Sequence, residues 1–180
     1  MRPLLALCLL VLCAPLAGCM RSLDERDVRE FIDTADQAAR KRFAPEICEL
    51  RGERFKLRTK FHATKSRIPP SQMEIDRRMF CIEAGKFARI RQYRLERQSL
   101  AIEISSDRKS ARVVAQYVET LPFYDDLIPV TPDDFREFQV LDVRDESIVG
   151  IESGDIVFLS TDSEIRQALI PKSSVKIPYD

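Results

Sequence analysis

The apolar positions of this chain follow a helical period in two segments. In the first, apolar side chains recur every three or four residues, at Val28, Phe31, Ile32, Ala35, Ala38 and Phe43. Ser22-Leu23-Asp24-Glu25 precedes them as a capping box, in which Ser22 and Glu25 each satisfy a backbone N–H of the first turn. The pattern predicts an amphipathic helix that Pro45 ends or kinks, followed by one further helical turn over residues 46–51.

The second helical segment follows Pro69-Pro70. Ser71-Gln72-Met73-Glu74 is another capping box, and apolar residues recur behind it at Ile75, Met79, Phe80, Ala84 and Phe87. A second amphipathic helix is therefore predicted to begin at Ser71. The apolar faces of both helices are interpreted as core rather than as contacts to a cofactor.

Alternating apolar and polar residues predict strands in most of the remaining chain. In residues 55–61 the even positions are Lys56, Arg58 and Lys60, which indicates a half-buried strand with a basic outer face. Residues 93–105 and 111–120 flank the polar turn Ser106-Asp107-Arg108-Lys109-Ser110 and predict a hairpin.

Three shorter strands are predicted towards the C-terminus, at residues 135–143, 148–151 and 156–160. The first two are separated by a predicted turn over residues 144–147, and the last two by Ser153-Gly154-Asp155. A short helix is expected after Thr161 and before Pro171. Helices followed by an antiparallel series of strands indicate the α+β class.

A short apolar run opens the sequence and ends at a cysteine. Residues 4–14 follow Arg2 and are too few to cross a membrane as a helix, and Leu16-Ala17-Gly18-Cys19 closes the run. This segment resembles the signal peptide of a bacterial lipoprotein. The resemblance implies cleavage before Cys19 and acylation of Cys19, with several acyl chains forming a stable membrane anchor. Residues 1–18 are predicted to be the signal peptide, 19–21 the lipidated anchor and linker, and 22–180 one α+β domain.

The residue after Cys19 bears on which membrane holds the protein. Met20 stands where an Asp acts as the usual inner-membrane retention signal, so anchoring in the outer membrane with the domain facing the periplasm is predicted.

Charge is distributed unevenly along the chain. Residues 40–112 carry 20 Lys and Arg against 9 Asp and Glu, whereas residues 113–180 carry 5 Lys and Arg against 14 Asp and Glu. This asymmetry either marks a polar partner or cancels where the two halves interleave in one fold. Nucleic acid is not expected as a partner of an exported protein.

Cysteine usage agrees with export. Cys8 and Cys13 leave with the signal peptide and Cys19 is consumed by lipid, which leaves Cys48 and Cys81. In an oxidising compartment this pair is predicted to form a disulfide that closes a loop of about 33 residues. One alternative is two buried reduced thiols. The other is a metal pair, which the single His and the lack of a CxxC disfavour.

The order of the predicted elements is similar to that of the nuclear transport factor 2-like superfamily. The residues that carry the resemblance are 27–43, Ile47-Cys48-Glu49-Leu50, Phe55-Lys56-Leu57-Arg58, Met79-Phe80-Cys81 and 93–120. The resemblance implies N-terminal helices packed on a curved antiparallel sheet, which together form a cone with an interior pocket. The superfamily contains isomerases, dehydratases, hydrolases and binding modules, so the fold alone does not choose a function.

Few residues indicate catalysis. His62 is the only His, and no carboxylate that could orient it as a base is evident. Ketosteroid isomerase, a member of this superfamily, uses an Asp base with a Tyr and a protonated Asp. Residues of those types here are Tyr93, Tyr117, Asp76 and Asp142, although nothing in the sequence shows that they converge. No catalytic residue is assigned, and no metal or cofactor is expected.

Residues 121–134 form the most unusual stretch of the mature chain. They contain three prolines, two adjacent aromatic residues and two Asp-Asp pairs. Long loops of this kind often carry function, and the candidate partner contacts are Phe123, Tyr124, Asp125 and Asp126. The alternative is a lid packed on its own sheet.

The predicted function is a lipid-anchored, non-catalytic binding or structural module that meets an unknown periplasmic protein or ligand. The alternative function is a small pocket enzyme, an isomerase or hydrolase that uses Tyr and Asp groups.

Overall fold

Three α-helices and six strands make up the part of the chain that this computed structural model describes, which is residues 22–63, 70–123 and 137–174. The helices are α1 (Glu25–Lys41), α2 (Ala44–Glu49) and α3 (Arg77–Phe87). The strands are β1 (Arg51–Ala63), β2 (Ser71–Asp76), β3 (Arg94–Ile104), β4 (Ser110–Phe123), β5 (Glu137–Glu152) and β6 (Asp155–Pro171). None of these helices has the length and hydropathy that crossing a bilayer requires.

The strands form one sheet in the order β2-β1-β6-β5-β4-β3. All neighbours are antiparallel except β1 and β6, which run parallel. The α+β class is therefore confirmed, but the predicted wholly antiparallel sheet is wrong at one pair. Alternation of side chains marks a strand without naming its partner, and here the last strand inserts between β1 and β5.

Helix α1 begins at a different cap from the one predicted. Asp24, not Ser22, is the N-cap, and its Oδ1 accepts from the Asp27 N–H at 2.8 Å. The helix ends at Arg42, which has a left-handed φ of 55° and whose Nη1 donates to the Ile90 carbonyl at 2.6 Å. Most of the predicted apolar face of α1 is buried, with Val28, Ile32 and Ala38 nearly inaccessible, but Phe43 lies beyond the helix and is 53% exposed.

The second predicted helix begins later than the sequence suggested. Ser71–Asp76 is strand β2, which pairs with the free edge of β1, and α3 starts only after Asp76. Asp76 Oδ1 accepts a hydrogen bond from the Met79 N–H at 2.9 Å, so Asp76 is the N-cap of α3. The local capping box at Ser71 competes with six residues of antiparallel pairing to β1, and the long-range pairing prevails.

The C-terminal strands are longer than predicted. Residues 144–147 are not a turn but the middle of β5, and the residues after Thr161 continue β6 instead of forming a helix. Pairing on both sides of β5 explains the first error, because Arg144 and Glu146 lie on the outer side while Asp145 and Ser147 face inwards. The predicted hairpin between β3 and β4 and the turn at Gly154, which has a φ of 93°, are confirmed.

The apolar core fills one end of the cone, which is here the space enclosed by α1 and the inner face of the sheet. Its members include Leu23, Val28, Phe31, Phe55, Val113, Val149 and Phe158. Phe31 and Phe158 pack with ring centroids 4.8 Å apart. We call this the closed end, because it lies between the start of α1 and the turns that join β3 to β4 and β5 to β6.

A smaller cluster joins the helices to one another. Ala38, Ile47 and Ala84 bury their side chains together where α1, α2 and α3 meet. Cys48 of α2 and Cys81 of α3 are linked in the structure, with Cα atoms 5.3 Å apart, within the range that a disulfide allows. The arrangement supports the predicted bridge.

A polar cavity as the candidate functional site

A cavity of about 230 Å³ lies beyond the apolar core, between α1 and the inner face of the sheet. The α1 side contributes Ile32, Ala35 and Ala39 together with Asp36. The sheet contributes apolar residues such as Leu57, Val113 and Val143 as well as ionisable or hydroxyl-bearing ones, which with Arg51 and Tyr93 are Thr59, Tyr117, Glu119, Asp145, Ser147, Thr161 and Ser163. The volume is below the roughly 300–1,000 Å³ of pockets for drug-sized molecules, so it suits a compact ligand.

Strand register brings the hydroxyl groups next to Asp145. Asp145 of β5 stands opposite Ser163 of β6, which stands opposite Thr59 of β1. Two residues along, Ser147 stands opposite Thr161, and their hydroxyl oxygens are 2.9 Å apart. Because side chains of a strand alternate between faces, these residues all point to the same side of the sheet.

Arg51 reaches the cavity from the irregular start of β1. The pairing of β1 with β6 shifts register between Arg51 and Lys56. At Gly52 an added Cβ would come within 2.8 Å of Glu152 Oε2 and 3.2 Å of Val157 Cγ2, so a larger residue would require these side chains to shift. The guanidinium carbon of Arg51 then lies 5.2, 4.7 and 4.2 Å from the ring centroids of Phe55, Phe80 and Phe158. These cation–π contacts hold the guanidinium without using its N–H groups.

Polar atoms of Arg51 and Asp145 have no protein partner. Among the described residues, Nε and Nη1 of Arg51 and Oδ1 of Asp145 are buried without a hydrogen bond. Burial lowers the pKa of Arg51 to about 10, although the Asp145 carboxylate opposes this. Burial also raises the pKa of Asp145, against the effects of the Ser163 hydroxyl and Arg51. A buried polar atom left unpaired costs about 1–3 kcal/mol, so water or a ligand is expected to meet these atoms.

Glu119 and Tyr93 form a second polar pair in the cavity. Burial raises the pKa of Glu119 to about 7, the charge of Asp145 adds to the rise, and the Tyr93 hydroxyl that donates to Glu119 lowers it. Tyr93 is positioned by Phe87 of α3, with ring centroids 4.6 Å apart at 90°. A carboxyl group with a pKa near neutrality can give or take a proton at physiological pH.

Asp36 has partners on the protein, in contrast to Asp145. Its Oδ2 accepts from Arg97 Nη1 at 2.9 Å, and Arg97 Nη2 also donates to Asp33 Oδ1 at 2.6 Å. The Tyr117 hydroxyl donates to Asp36 as well, yet burial still raises the pKa of this carboxyl. The group ties α1 to β3 and β4, which fixes Tyr117 at the cavity.

The structure brings together some of the residues that sequence analysis singled out. Tyr93 and Tyr117 both line the cavity, whereas Asp76 caps α3 and Asp142 is exposed on β5. His62 is 40% exposed, and its Nε2 lies 3.7 Å from Glu164 Oε1, away from the cavity. Sequence analysis missed the acidic groups of the cavity, Asp36, Asp145 and Glu119, and also Arg51. Residues 144–147 are polar throughout, so apolar–polar alternation gave no signal for Asp145.

Most of the predicted partner loop cannot be compared with the structure. Leu121 is buried in β4 and Phe123 is half-buried at its end. Tyr124, Asp125 and Asp126 lie outside the described residues, as does Cys19. The loop and the lipidation site stay predictions.

A larger groove on the outside of the sheet is a weaker candidate. It measures about 680 Å³ and lies beside β1, β2, β5 and β6. Several of its charged side chains form exposed ion pairs, as Arg58 Nε does with Asp162 Oδ1 at 2.7 Å, and among its described residues buried polar atoms are not left unpaired as those of Arg51 and Asp145 are. Within the described part of the chain, no group of three His, Cys, Asp or Glu side chains could hold a metal ion. The cavity is therefore the candidate site.

Solved structures similar to this chain include an enzyme and proteins of unknown function. A nuclear transport factor 2-like protein of unknown function from Pseudomonas putida KT2440 is 13% identical with a TM-score of 0.53, over 87% of this chain and 94% of that chain. One from Rhodospirillum rubrum ATCC 11170, of unknown function in nutrient uptake, is 10% identical with a TM-score of 0.55, over 77% and 98%. A hexachlorocyclohexane dehydrochlorinase, LinA type 2, is 6% identical with a TM-score of 0.57, over 85% and 91%.

These similarities show the fold, which is nuclear transport factor 2-like, with three helices and a mixed sheet. No protein-family model and no curated protein matches the chain. Because enzymes and proteins of unknown function share this fold, the function has to be argued from the cavity.

Proposed function

We propose that the protein is a lipid-anchored binding module that faces the periplasm and holds a small ligand in the cavity of the cone. The observation that carries the proposal is the pair Arg51 and Asp145, whose buried polar atoms lack protein partners. Three phenyl rings hold the Arg51 guanidinium in place, so the binding site is preorganised in the absence of a ligand. Such preorganisation lowers the entropic cost of binding.

The attachment of the closed end supports this orientation on the membrane. The Leu23 N–H donates to the Arg108 carbonyl at 2.8 Å, which fixes the start of the domain to the turn between β3 and β4. Leu23 is the fourth residue after Cys19, so the chain between their Cα atoms can span at most about 14 Å. Along β4, Glu119 lies nine residues beyond Ser110, or about 30 Å at the rise of a strand. A lipid on Cys19 would thus hold the closed end near the outer membrane and leave the cavity towards the periplasm.

Native mass spectrometry of the mature protein purified from membranes tests the binding proposal. We expect a small-molecule adduct on the wild type that Arg51→Met loses, because methionine fills the aromatic cage without donating hydrogen bonds. Arg58→Met is the matched control, since Arg58 is exposed on the outer face of the same strand. An adduct that survives Arg51→Met would contradict the proposed site.

A second candidate function is catalysis of proton transfer in the same cavity, as in an isomerase or hydrolase. Glu119, with its pKa near 7, favours this candidate, and the hydroxyl of Tyr93 is the neighbouring donor. Turnover of the captured ligand by the wild type, lost in Glu119→Gln while the adduct is retained, would identify an enzyme. Retention of the ligand unchanged by both proteins would identify a binding module.

The loop over residues 121–134 belongs to the proposal as a partner contact. Phe123 ends β4 half-buried, so part of its ring remains available. Aromatic residues supply much of the energy of interfaces at small entropic cost. Phe123 is not among the residues that line the cavity, so a partner contact at Phe123 does not require the ligand site.

A further inference from the structure

The charges that line the cavity nearly cancel. Asp36 is neutralised by Arg97, whose Nη1 lies 2.9 Å from its carboxylate. Arg51 and Asp145 carry opposite charges, and Glu119 is divided between its neutral and charged forms near pH 7. A site with so little net charge attracts neither an anion nor a cation strongly enough to offset the cost of removing that ion from water.

Arg51 and Asp145 require different hydrogen-bonding groups from one ligand. The guanidinium can only donate, whereas a carboxylate can only accept. Among the described residues the two side chains do not approach within the 4.0 Å of an ion pair, and their unpaired atoms both border the cavity. A hydroxyl group accepts one hydrogen bond and donates another, so it can satisfy both residues at once. A carboxylate would face Asp145 with a second acceptor, and an ammonium would face Arg51 with a second donor.

The rest of the lining extends this preference. Ser147 and Thr161 share one hydrogen bond, which leaves further capacity on each hydroxyl for a second polar group. On the opposite side, Ile32, Ala35 and Ala39 of α1 offer apolar contact, and the one acidic residue that α1 adds to the lining, Asp36, is paired with Arg97. The cavity therefore has one hydroxyl-rich side and one largely apolar side in a small volume.

We infer that the ligand is a compact, uncharged hydroxyl compound with one apolar face, bound with a hydroxyl group between Arg51 and Asp145. This inference rests on the proposed ligand site and adds the chemical class of its occupant. Water can occupy the same position when the ligand is absent, since it also donates and accepts.

Three probes of the same ring size separate the chemical classes: cis-cyclopentane-1,2-diol, cyclopentanecarboxylate and cyclopentylammonium. Each is titrated into the ¹⁵N-labelled mature protein in detergent, and binding is followed through the backbone amides of Ser147 and Ser163. We expect the diol to bind at least tenfold more tightly than either ion. Tighter binding of the carboxylate or the ammonium overturns the inferred class while the ligand site stands. If none of the three shifts these amides, the proposed ligand site itself fails.

Variants test the position of the hydroxyl group. Arg51→Met and Asp145→Leu should each weaken diol binding about fivefold or more, the loss expected for one hydrogen bond. Arg58→Met and Asp142→Leu change exposed residues on the same two strands and should leave the affinity unchanged. Undiminished binding by Arg51→Met would overturn the inference. If Asp145→Leu does not fold, Arg51→Met and the ranking of the three probes on the wild type decide the question.

Discussion

Leu23 and Arg108 are joined by two reciprocal hydrogen bonds. The Leu23 N–H donates to the Arg108 carbonyl at 2.8 Å, and Arg108 Nε donates to the Leu23 carbonyl at 3.1 Å. Leu23 is fully buried, so the start of the domain is fixed both by packing and by these bonds. A lipid on Cys19 would act through this attachment, because only three residues lie between Cys19 and Leu23 in the sequence.

Cys19→Ser is expected to release a soluble periplasmic form or to leave uncleaved precursor, because serine lacks the thiol that receives the lipid. Cell fractionation with detergent extraction and mass spectrometry of the N-terminus measures this outcome. Cys13→Ser is the control, since Cys13 is predicted to leave with the signal peptide. A Cys19→Ser protein that is still processed and still needs detergent would refute lipidation.

Replacing both Cys48 and Cys81 by Ser is expected to lower the free energy of unfolding by about 3.7 kcal/mol while the fold is retained, because the bridge closes a loop of 33 residues. Denaturant titration measures the loss, and non-reduced peptide mapping of protein from the periplasm should recover one linked pair. A reductant should destabilise the wild type but not the double variant. Two freely alkylated thiols in the wild type would end the prediction.

Arg97→Met should destabilise the protein by about 2–3 kcal/mol, because it removes the main charge partner of the buried Asp36. Arg40, whose Nη2 lies 3.8 Å from Asp36, and the Tyr117 hydroxyl keep the loss below that of a fully isolated charge. Denaturant titration provides the measurement. Arg112→Met, which breaks an exposed pair with Glu146, should change stability by less than about 1 kcal/mol. Equal effects of the two variants would show that Asp36 needs no partner.

Glu119 should make the protein less stable as pH rises from about 4.5 to about 7. Its pKa is raised from 4.5 to about 7 in the folded state, so the folded protein binds more protons than the unfolded chain over this range. Linkage then requires stability to fall with increasing pH, by up to about 3 kcal/mol from this group. Glu119→Gln should remove that part of the slope in urea titrations at pH 4.5 and pH 7.5. Glu146→Gln, at an exposed site on β5, is the control, and a slope that Glu119→Gln leaves unchanged would contradict the raised pKa.

Phe123→Ala with Tyr124→Ala is expected to abolish recovery of a co-purifying partner while the melting temperature stays nearly the same. The reason is that aromatic residues anchor interfaces, whereas the charges of Asp125 and Asp126 would tune encounter and specificity more than affinity. Affinity purification and thermal unfolding are measured on the same preparations. A large loss of stability would show that the loop is a packed lid. Unaltered recovery at unaltered stability would direct attention back to the cavity.

Local patterns in the sequence determined several parts of this protein. Some features depend only on residues close together in the sequence, so they could be predicted. They are the apolar spacing of α1, the alternation in β1 and the hairpin between β3 and β4. The pairing of Cys48 with Cys81 was predicted from the cysteines left once the predicted signal peptide and Cys19 are set aside. The two Tyr residues of the cavity were also identified by type, although not by position.

The tertiary structure alone decided which strands are neighbours and which acids face the cavity. Arg144-Asp145-Glu146-Ser147 has the composition of a turn, and only pairing with β4 and β6 on both sides makes it the middle of a strand. Arg51 enters the cavity because Gly52 lets β1 approach β6 closely, a contact between residues more than 100 positions apart. Such contacts are stabilised by strand pairing and packing over the whole sheet. A short stretch of sequence therefore determines its own periodicity, but not the partner that turns a charged residue inwards.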